Sequence, residues 1–577
     1  MEARADTPPL DEEVADELRA VVGAQYVCTA ADDLERYSRC TIPWDSRCAA
    51  VVFPASSDEV AAVVRIAARH RIALWPSSKG RNWGYGTTLA IDDGAIVMIL
   101  ERMNRVLEVN EELAYAVIEP GVTYEQFNRH LRSNGYKLWI DCTDGSGRGS
   151  VIGNALERGV GETPYGDHFG NLCGLEVVLP DGERVHVGGA LNGLHTWHTH
   201  KWGVGPYLEG LFTQSNLGIV TRAGIWLMPQ PESYNSFVYE IRDERHLPQV
   251  LDAFRRLALS GIVNTKLHMI NDFVSMTILT QRISEEVPQE GPLSDADLAA
   301  LRRKYGVAPW SCAGGIYGTR RQVSLQRSLL RQALAPYGRL IFISDRLLPY
   351  LQRLIDWSWK RPLVRRLTEL GARTSLLVLE SAPYVHQILQ GIPTEYFVRH
   401  AYYRYRHPRP AGEVQPARDR CGLIWFAPIL PLTNAHVWPF LAACKPRFAA
   451  HGFDFYVAML LMNPRSVICL MAVIYDKEDA AETAHSQQLY DELLTIMRER
   501  HYQQYRAGLQ SWGELFRDAP ELAQLNARIK SAIDPANLLA PGRYGAGGAS
   551  AANGNPGPRQ PPFSIGSSSR SSPQDGT

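Results

Sequence analysis

The sequence predicts an α+β protein built from more than one domain, and three observations lead there. A chain of 577 residues is longer than a single hydrophobic core organises. A strand, a helix and a second strand follow one another through residues 51–75 and end in a glycine-rich loop. Beyond residue 230 the glycine-rich stretches thin out and strands alternate with helices, the texture of a second α/β or α+β unit.

Residues 1–36 are charged and helical in pattern. Val51-Val52-Phe53 reads as a strand. Ser56-Ser57-Asp58-Glu59 has the form of a capping box, and Val60, Val63, Val64, Ala67 and Ala68 recur at helical spacing, predicting an amphipathic helix over 57–69. Arg71-Ile72-Ala73-Leu74-Trp75 is the next strand. It delivers the chain to Pro76-Ser77-Ser78-Lys79-Gly80-Arg81-Asn82-Trp83-Gly84-Tyr85-Gly86, where the glycines allow a tight turn whose N–H groups can approach a phosphate. The spacing is neither that of a Walker loop nor G-x-G-x-x-G. Its place at the carboxyl end of a strand is where ligands of such sheets bind.

Strands at 95–100 and 114–119 and a helix at 124–134 come next. A second rich stretch begins at Leu138-Trp139-Ile140-Asp141-Cys142-Thr143-Asp144-Gly145-Ser146-Gly147-Arg148-Gly149-Ser150 and runs through Gly153-Asn154 and Gly159-Val160-Gly161-Glu162-Thr163-Pro164-Tyr165-Gly166 to residue 170. So long a glycine-rich loop costs folding entropy that an ordinary connection has no reason to bear, which marks it as a second wall of a cofactor site. An Asp-Gly hairpin covers 175–185, and 212–221 leads into a strand at 224–229. In the middle segment, 236–241 reads as a strand and 246–260 and 320–336 as helices. Residues 455–475 read as two strands joined by the turn Asn463-Pro464-Arg465-Ser466, too interrupted to cross a membrane. A helix near 484–500 precedes Tyr505-Arg506, and Asp534-Pro535-Ala536-Asn537-Leu538-Leu539-Ala540-Pro541-Gly542-Arg543 forms a closing turn. Residues 546–577, rich in Gly, Ser and Pro, hold too little apolar surface for a core and are expected to be disordered.

Charge is balanced at −1 with an isoelectric point near 7.0, which gives no reason to expect nucleic acid or an acidic membrane surface as partner. Nine cysteines are scattered without a C-x-x-C pair, and no ligand spacing suggests a metal. The acidic N-terminus lacks the form of a secretory signal, so reduced cysteines and a cytoplasmic location are expected.

In order and spacing, the stretches at 76–86, 144–170, 174–185 and 211–229 resemble the vanillyl-alcohol oxidase and p-cresol methylhydroxylase family, whose first loop reads Pro-x-Ser-x-Gly-Arg-Asn-x-Gly-Tyr-Gly. The resemblance runs almost unbroken over 37–230. It implies a two-part FAD-binding domain of the p-cresol methylhydroxylase type, residues 1–230 and 486–545, with an inserted α/β cap domain over 231–485. It also implies that Pro76, Ser77, Ser78, Lys79, Gly80, Arg81, Asn82, Gly84, Gly149, Ser150, Gly153, Asn154, Gly159, Gly161, Asn216, Gly218, Ile219, Val220 and Arg543 hold FAD. The strand Cys421-Gly422-Leu423-Ile424-Trp425-Phe426 resembles the one through which some members bind FAD covalently by a His, but here it carries none. Tyr402, Tyr403 and Tyr405 precede it and His407 and His436 lie outside it, so non-covalent FAD is favoured with a covalent link left open.

The resemblance assigns Tyr85, Tyr505 and Arg506 to binding the substrate phenol as a phenolate, because two phenolic donors and a guanidinium around one oxygen stabilise its anion. The implied reaction is hydride loss from the para benzylic carbon, giving a p-quinone methide. That species can add water, lose a proton to form an alkene, or lose CO2, as in tyrosine-derived natural products. Asp144 resembles an aspartate beside the reacting centre, with Asp141 the alternative because the loop is about one residue longer than the pattern. Glu162 stands where the family has Tyr, and can act as a base, repel an anionic substrate or select a cationic or hydroxylated one. Expected partners are a phenolic small molecule and O2 or a cytochrome as electron acceptor, with a homodimer as the assembly. Two other readings stay open: an oxidase or dehydrogenase of a non-phenolic alcohol or hydroxy acid, and a non-catalytic flavin-binding subunit.

Overall fold

The computed structural model describes residues 10–188, 194–350, 353 and 376–545. The expected disordered tail and the first nine residues lie outside this range. Two helices, Glu12–Val22 and Ala31–Tyr37, flank in sequence the first strand of a four-stranded sheet in the order Val27–Cys28, Ala50–Val52, Ile96–Ile99, Leu74–Ser77. Its last three strands are parallel, as a strand-helix-strand crossover requires. The crossover helix is Ser57–His70, whose N-cap Ser56 accepts a hydrogen bond from the Glu59 N–H at 3.2 Å. Only half of the expected box forms, because the Glu59 carboxylate accepts from the Ala55 N–H instead, at 2.7 Å. Val60, Val63, Val64 and Ala67 are buried against Val52, Leu74, Ile96 and Met98 of the sheet. Arg71 ends the helix at a φ of 54°, and the following strand therefore starts at Leu74 rather than Arg71.

A five-stranded antiparallel sheet follows, ordered Val106–Asn110, Tyr115–Ile118, Ile219–Trp226, Leu172–Val178, Arg184–Val187. Its last two strands are the Asp-Gly hairpin. Leu138–Trp139 and Met228–Pro229 form a small ribbon. The remaining strands build one nine-stranded antiparallel sheet, whose centre runs Ser233–Ile241, Trp310–Gly318, Leu267–Asn271, Tyr456–Asn463, Ser466–Asp476. Residues 455–475 are thus the two paired strands that the sequence predicts. Cys421–Phe426 and Pro428–Pro431 both pair with Ser466–Asp476. The helix Ala480–Glu499 contains residue 485, and Gln503–Gln504 still pairs with Pro428–Pro431, so the chain stays on the large sheet as far as Gln504.

The C-terminal segment then returns to the first sheet. Leu74 donates to Leu538 O and accepts from Ala540 N, both at 2.9 Å, beside the strand that enters the first glycine loop. Buried Lys530 pins this turn by donating to Asp534 at 2.6 Å and to the Asn216 and Leu539 carbonyls at 2.8 Å. One apolar core runs from Val51, Trp75 and Val97 of the first sheet to Phe237, Leu267, Phe426 and Val457 of the large one. Loop 76–86 lies where these two sheets meet.

Candidate active site

A cavity of about 430 Å³ lies against that loop. The strand Leu74–Ser77 carries Pro76 and Ser77 to its wall, and Ser78, Lys79, Gly80, Arg81, Asn82 and Tyr85 continue the lining. Gly84 is not part of it. A Cβ there would lie 2.2 Å from Trp425 Cδ1, and Gly84 O accepts from the Trp425 N–H at 3.1 Å. The glycine therefore docks the loop onto the large sheet, which is how Trp425 reaches the cavity.

The second glycine stretch forms the next wall, as expected from its length, and contains a short helix, Val151–Leu156. Gly149, Ser150, Gly153, Asn154 and Gly159 line the cavity. The Ser150 hydroxyl is engaged in the helix cap, accepting from Gly153 N at 2.8 Å and donating to Pro120 O at 2.6 Å. Gly161 sits behind the wall, where a Cβ would fall 1.6 Å from Asp141 Oδ2. Asp141 does not line the cavity and Asp144 does. Asp141 instead accepts from the Glu162 and Thr163 N–H groups at 3.2 and 2.8 Å, with His168 Nε2 2.8 Å from its other oxygen. Gly218, Ile219, Val220 and Arg543 complete this side, while Asn216 lies behind it and donates to Ala540 O at 2.9 Å.

Two polar groups share the cavity. In the first, the Tyr85 hydroxyl lies beside that of Tyr505, and the Arg506 guanidinium carbon is 4.6 Å from the centre of the Tyr85 ring. Burial, reinforced by Tyr505 and opposed by Arg506, holds Tyr85 protonated well above the usual phenol range. Arg506 donates to Asn82 Oδ1 at 2.6 Å and lies 3.7 Å from Glu157. Burial alone would lower the Arg506 value; Glu157, Tyr505 and Tyr85 outweigh it and keep the side chain charged. Glu157 also accepts from Arg543 and Tyr544. These partners hold its carboxyl below the ordinary value although burial opposes them.

The second group is Asp144, Glu162 and His268, whose candidate ligand atoms all lie within 4.8 Å of one another. His268 Nε2 is 3.3 Å from Glu162 Oε1 and Nδ1 is 4.0 Å from Asp144 Oδ2. Glu162 is buried; desolvation, Asp144 and Asp141 together push it well above the carboxylate range. Burial depresses His268 despite the same two aspartates. His400, with Nδ1 2.6 Å from Phe397 O, and Tyr456 line the same cavity. Tyr402, Tyr403, Tyr405, His407 and His436 do not: Tyr402 donates to Asp419 at 2.6 Å and His436 is paired with Tyr502 at 2.7 Å.

Sequence reasoning missed Glu157, His268, His400, Trp425 and Tyr456 as lining residues. For Glu157 there was a weak signal, an acidic residue at the C-cap of the short helix Val151–Leu156 inside the glycine-rich stretch. The others come from the large sheet and its connections; Trp425 lies in the stretch 421–426 that the resemblance marks, and His268, His400 and Tyr456 have no local motif to mark them.

A family model described as an FAD binding domain matches residues 48–188. The chain is 38% identical to 1'-carboxy-chondrochloren decarboxylase from Chondromyces crocatus, over 93% of this chain and 98% of that one. It is 28% identical to the 4-cresol dehydrogenase [hydroxylating] flavoprotein subunit of Pseudomonas putida, over 91% and 94%. Among solved structures, 4-ethylphenol oxidase from Gulosibacter chungangensis superposes with a TM-score of 0.82 at 29% identity, covering 93% of this chain and 97% of that one. The cavity suits the cofactor these matches imply. Thr87, Ser215 and Arg543 line it, and Thr87 Oγ1, Ser215 Oγ and Arg543 Nε are buried with no hydrogen-bond partner among the described residues. Such orphans cost about 1–3 kcal/mol each unless a polar ligand satisfies them, and FAD brings many acceptors. Matched over more than nine-tenths of its length by such relatives and built around a cavity that fits FAD, the chain belongs to the vanillyl-alcohol oxidase and p-cresol methylhydroxylase family of FAD-dependent oxidoreductases.

Proposed function

We propose that the enzyme oxidises a para-substituted phenol at its benzylic carbon through a p-quinone methide, which then adds water, forms an alkene or loses CO2. The observation that carries this reading is the meeting of Tyr85, Tyr505 and Arg506 in one cavity. FAD supplies the hydride acceptor. Arg506 stays charged and Tyr85 stays protonated, so one brings positive charge and the other a hydrogen-bond donor to a phenolate oxygen. Asn82 and Glu157 fix the guanidinium in place. Leu423, Trp425, Tyr456 and Val274 wall the cavity, keeping the surroundings apolar enough for these charges to act strongly. Glu162, neutral by its burial, presents a donor that suits a substrate with a polar para side chain, such as a tyrosine-derived phenol. Asp144 is proposed to act beside the reacting carbon. The names of two relatives, one a decarboxylase and one a 4-cresol dehydrogenase, support the same chemistry.

Tyr505→Phe and Arg506→Gln test the reading. Each is expected to retain FAD while slowing anaerobic flavin reduction by a 4-alkylphenol about 100-fold or more. Unimpaired reduction in both would remove the phenolate site from consideration. We further infer that FAD is held without a covalent bond, since the strand Cys421–Phe426 brings Leu423 and Trp425 to the cavity and neither is a nucleophile. Electrons are proposed to pass to O2 or a cytochrome, which oxygen uptake and cytochrome reduction tell apart. A cytoplasmic homodimer is the proposed form, in keeping with nine free cysteines of which all but Cys28 are buried.

A further inference from the structure

We propose that His268 is the base that takes up the proton released when the quinone methide goes on to a hydroxylated or desaturated product, its ring held between Asp144 and Glu162. The proposal rests on the phenol reading above. The strand Leu267–Asn271 sets His268 opposite Ala313 on one side and Leu460 on the other, and all three line the cavity. Its two nitrogens face different carboxylates, Nδ1 toward Asp144 and Nε2 toward Glu162. One ligand atom from each of the three residues lies within 4.8 Å of the others, and the two imidazole nitrogens face different carboxylates. The latter suits a neutral imidazole, which has one N–H to give and one lone pair to receive a proton. Among the described residues Nε2 is buried with no hydrogen bond, and none is formed to the Glu162 carboxyl. The Tyr85, Tyr505 and Arg506 group forms no hydrogen bond or ion pair with this cluster among the described residues, so phenolate binding and proton uptake occupy separate groups.

The titratable groups around the ring agree with this state. Asp141, Asp144 and Glu162 approach from the glycine-rich stretch, and Lys266, on the approach to the same strand, is turned away to donate to Met462 O at 2.7 Å. His400 and Tyr456 share the cavity. Burial keeps His268 uncharged, and burial, helped by the neighbouring carboxylates, keeps the proton on Glu162.

The step balances without a further oxidant. In hydration, a C–O bond forms at the benzylic carbon, the ring electrons return to the oxygen as phenolate, and the water proton goes to the imidazole lone pair. In desaturation, the neighbouring C–H bond breaks, its electron pair becomes the alkene, and the proton goes to the same nitrogen. In decarboxylation the C–C bond breaks and CO2 leaves, so no proton is removed and His268 has no part.

The test is stopped-flow with the holoenzyme of wild type and His268→Gln and a 4-alkylphenol lacking a carboxylate. Wild-type flavin that no such phenol reduces would end the phenol reading itself. With reduction intact, the variant is expected to reduce its flavin at the wild-type rate but to release product at least tenfold more slowly, with quinone methide absorbance persisting. Unchanged product release overturns the proposal. Should the variant not hold FAD, the wild-type product step decides: it is expected to fail on the acid side, with a midpoint below the 6.5 ordinary for histidine. A product step that keeps its full rate as far into acid as the holoenzyme keeps its FAD overturns the assignment, as does stoichiometric metal in the purified holoenzyme.

Discussion

Glu157 receives Arg506, Arg543 and Tyr544 around one carboxylate, and its side chain keeps only 11% of its exposure. Removing one member of so buried a network leaves the others without counter-charge, a loss of about 3–5 kcal/mol in similar cases. Glu157→Gln keeps the shape and removes the charge, so it is expected to lower the thermal midpoint and to loosen Arg506, weakening phenol binding more than FAD content. The pH dependence has a definite sign. A carboxyl held below its ordinary 4.5 stabilises the fold fully above that value and ceases to do so as pH falls through its lower folded value. The gap in midpoint between wild type and variant should therefore be constant near neutrality and close on strong acidification. Thermal scans of the two proteins over a pH series check it, and a gap that widens in acid would contradict the network.

At the scale of elements, loop 159–166 is held by Asp141 and His168 from behind, and Gly161 gives the clamp its room. Gly161→Ala would drive a methyl group into the Asp141 carboxylate, and overpacking of this kind costs about 1–3 kcal/mol. Its expected signature is displacement of Glu162: a lower midpoint, together with a changed rate of product formation while flavin reduction by phenol persists. An alanine variant with wild-type stability and product rate would show that the loop needs no such room. Elements of this kind were legible in the sequence because their signals are local. Ser56 before an apolar helix, the glycines of 76–86 and the Asp-Gly hairpin each act within a few residues. His268 and Tyr456 were not, because their positions follow from strand register between segments nearly 200 residues apart, such as His268 opposite Leu460. Gly84 and Gly161 read as cofactor contacts in the sequence for the same reason, since what each glycine makes room for, Trp425 and Asp141, lies elsewhere in the chain.

Across the whole molecule, the cavity is walled by segments that are remote in sequence, from Trp75 to Leu89, through Gly149 to Gly159 and Gly218 to Val220, to Arg543 in the closing turn. The last of these reaches the site because Leu538 and Ala540 hydrogen-bond to Leu74. A ligand held by all of them binds the assembled chain and not the unfolded one. If FAD is bound without a covalent link, its stabilisation follows mass action, about 2.7 kcal/mol when free FAD stands at 100 times its dissociation constant. The unfolding midpoint should then climb as FAD is added to the holoenzyme, and acid precipitation should leave the yellow colour in the supernatant. A covalently attached flavin shifts the midpoint once and for all, because it is present at one copy per chain whatever the solution contains. A midpoint indifferent to added FAD, with a yellow pellet, would therefore place a bond between the flavin and a nucleophile of the cavity wall, with His400, Tyr396 and Tyr456 the first residues to examine.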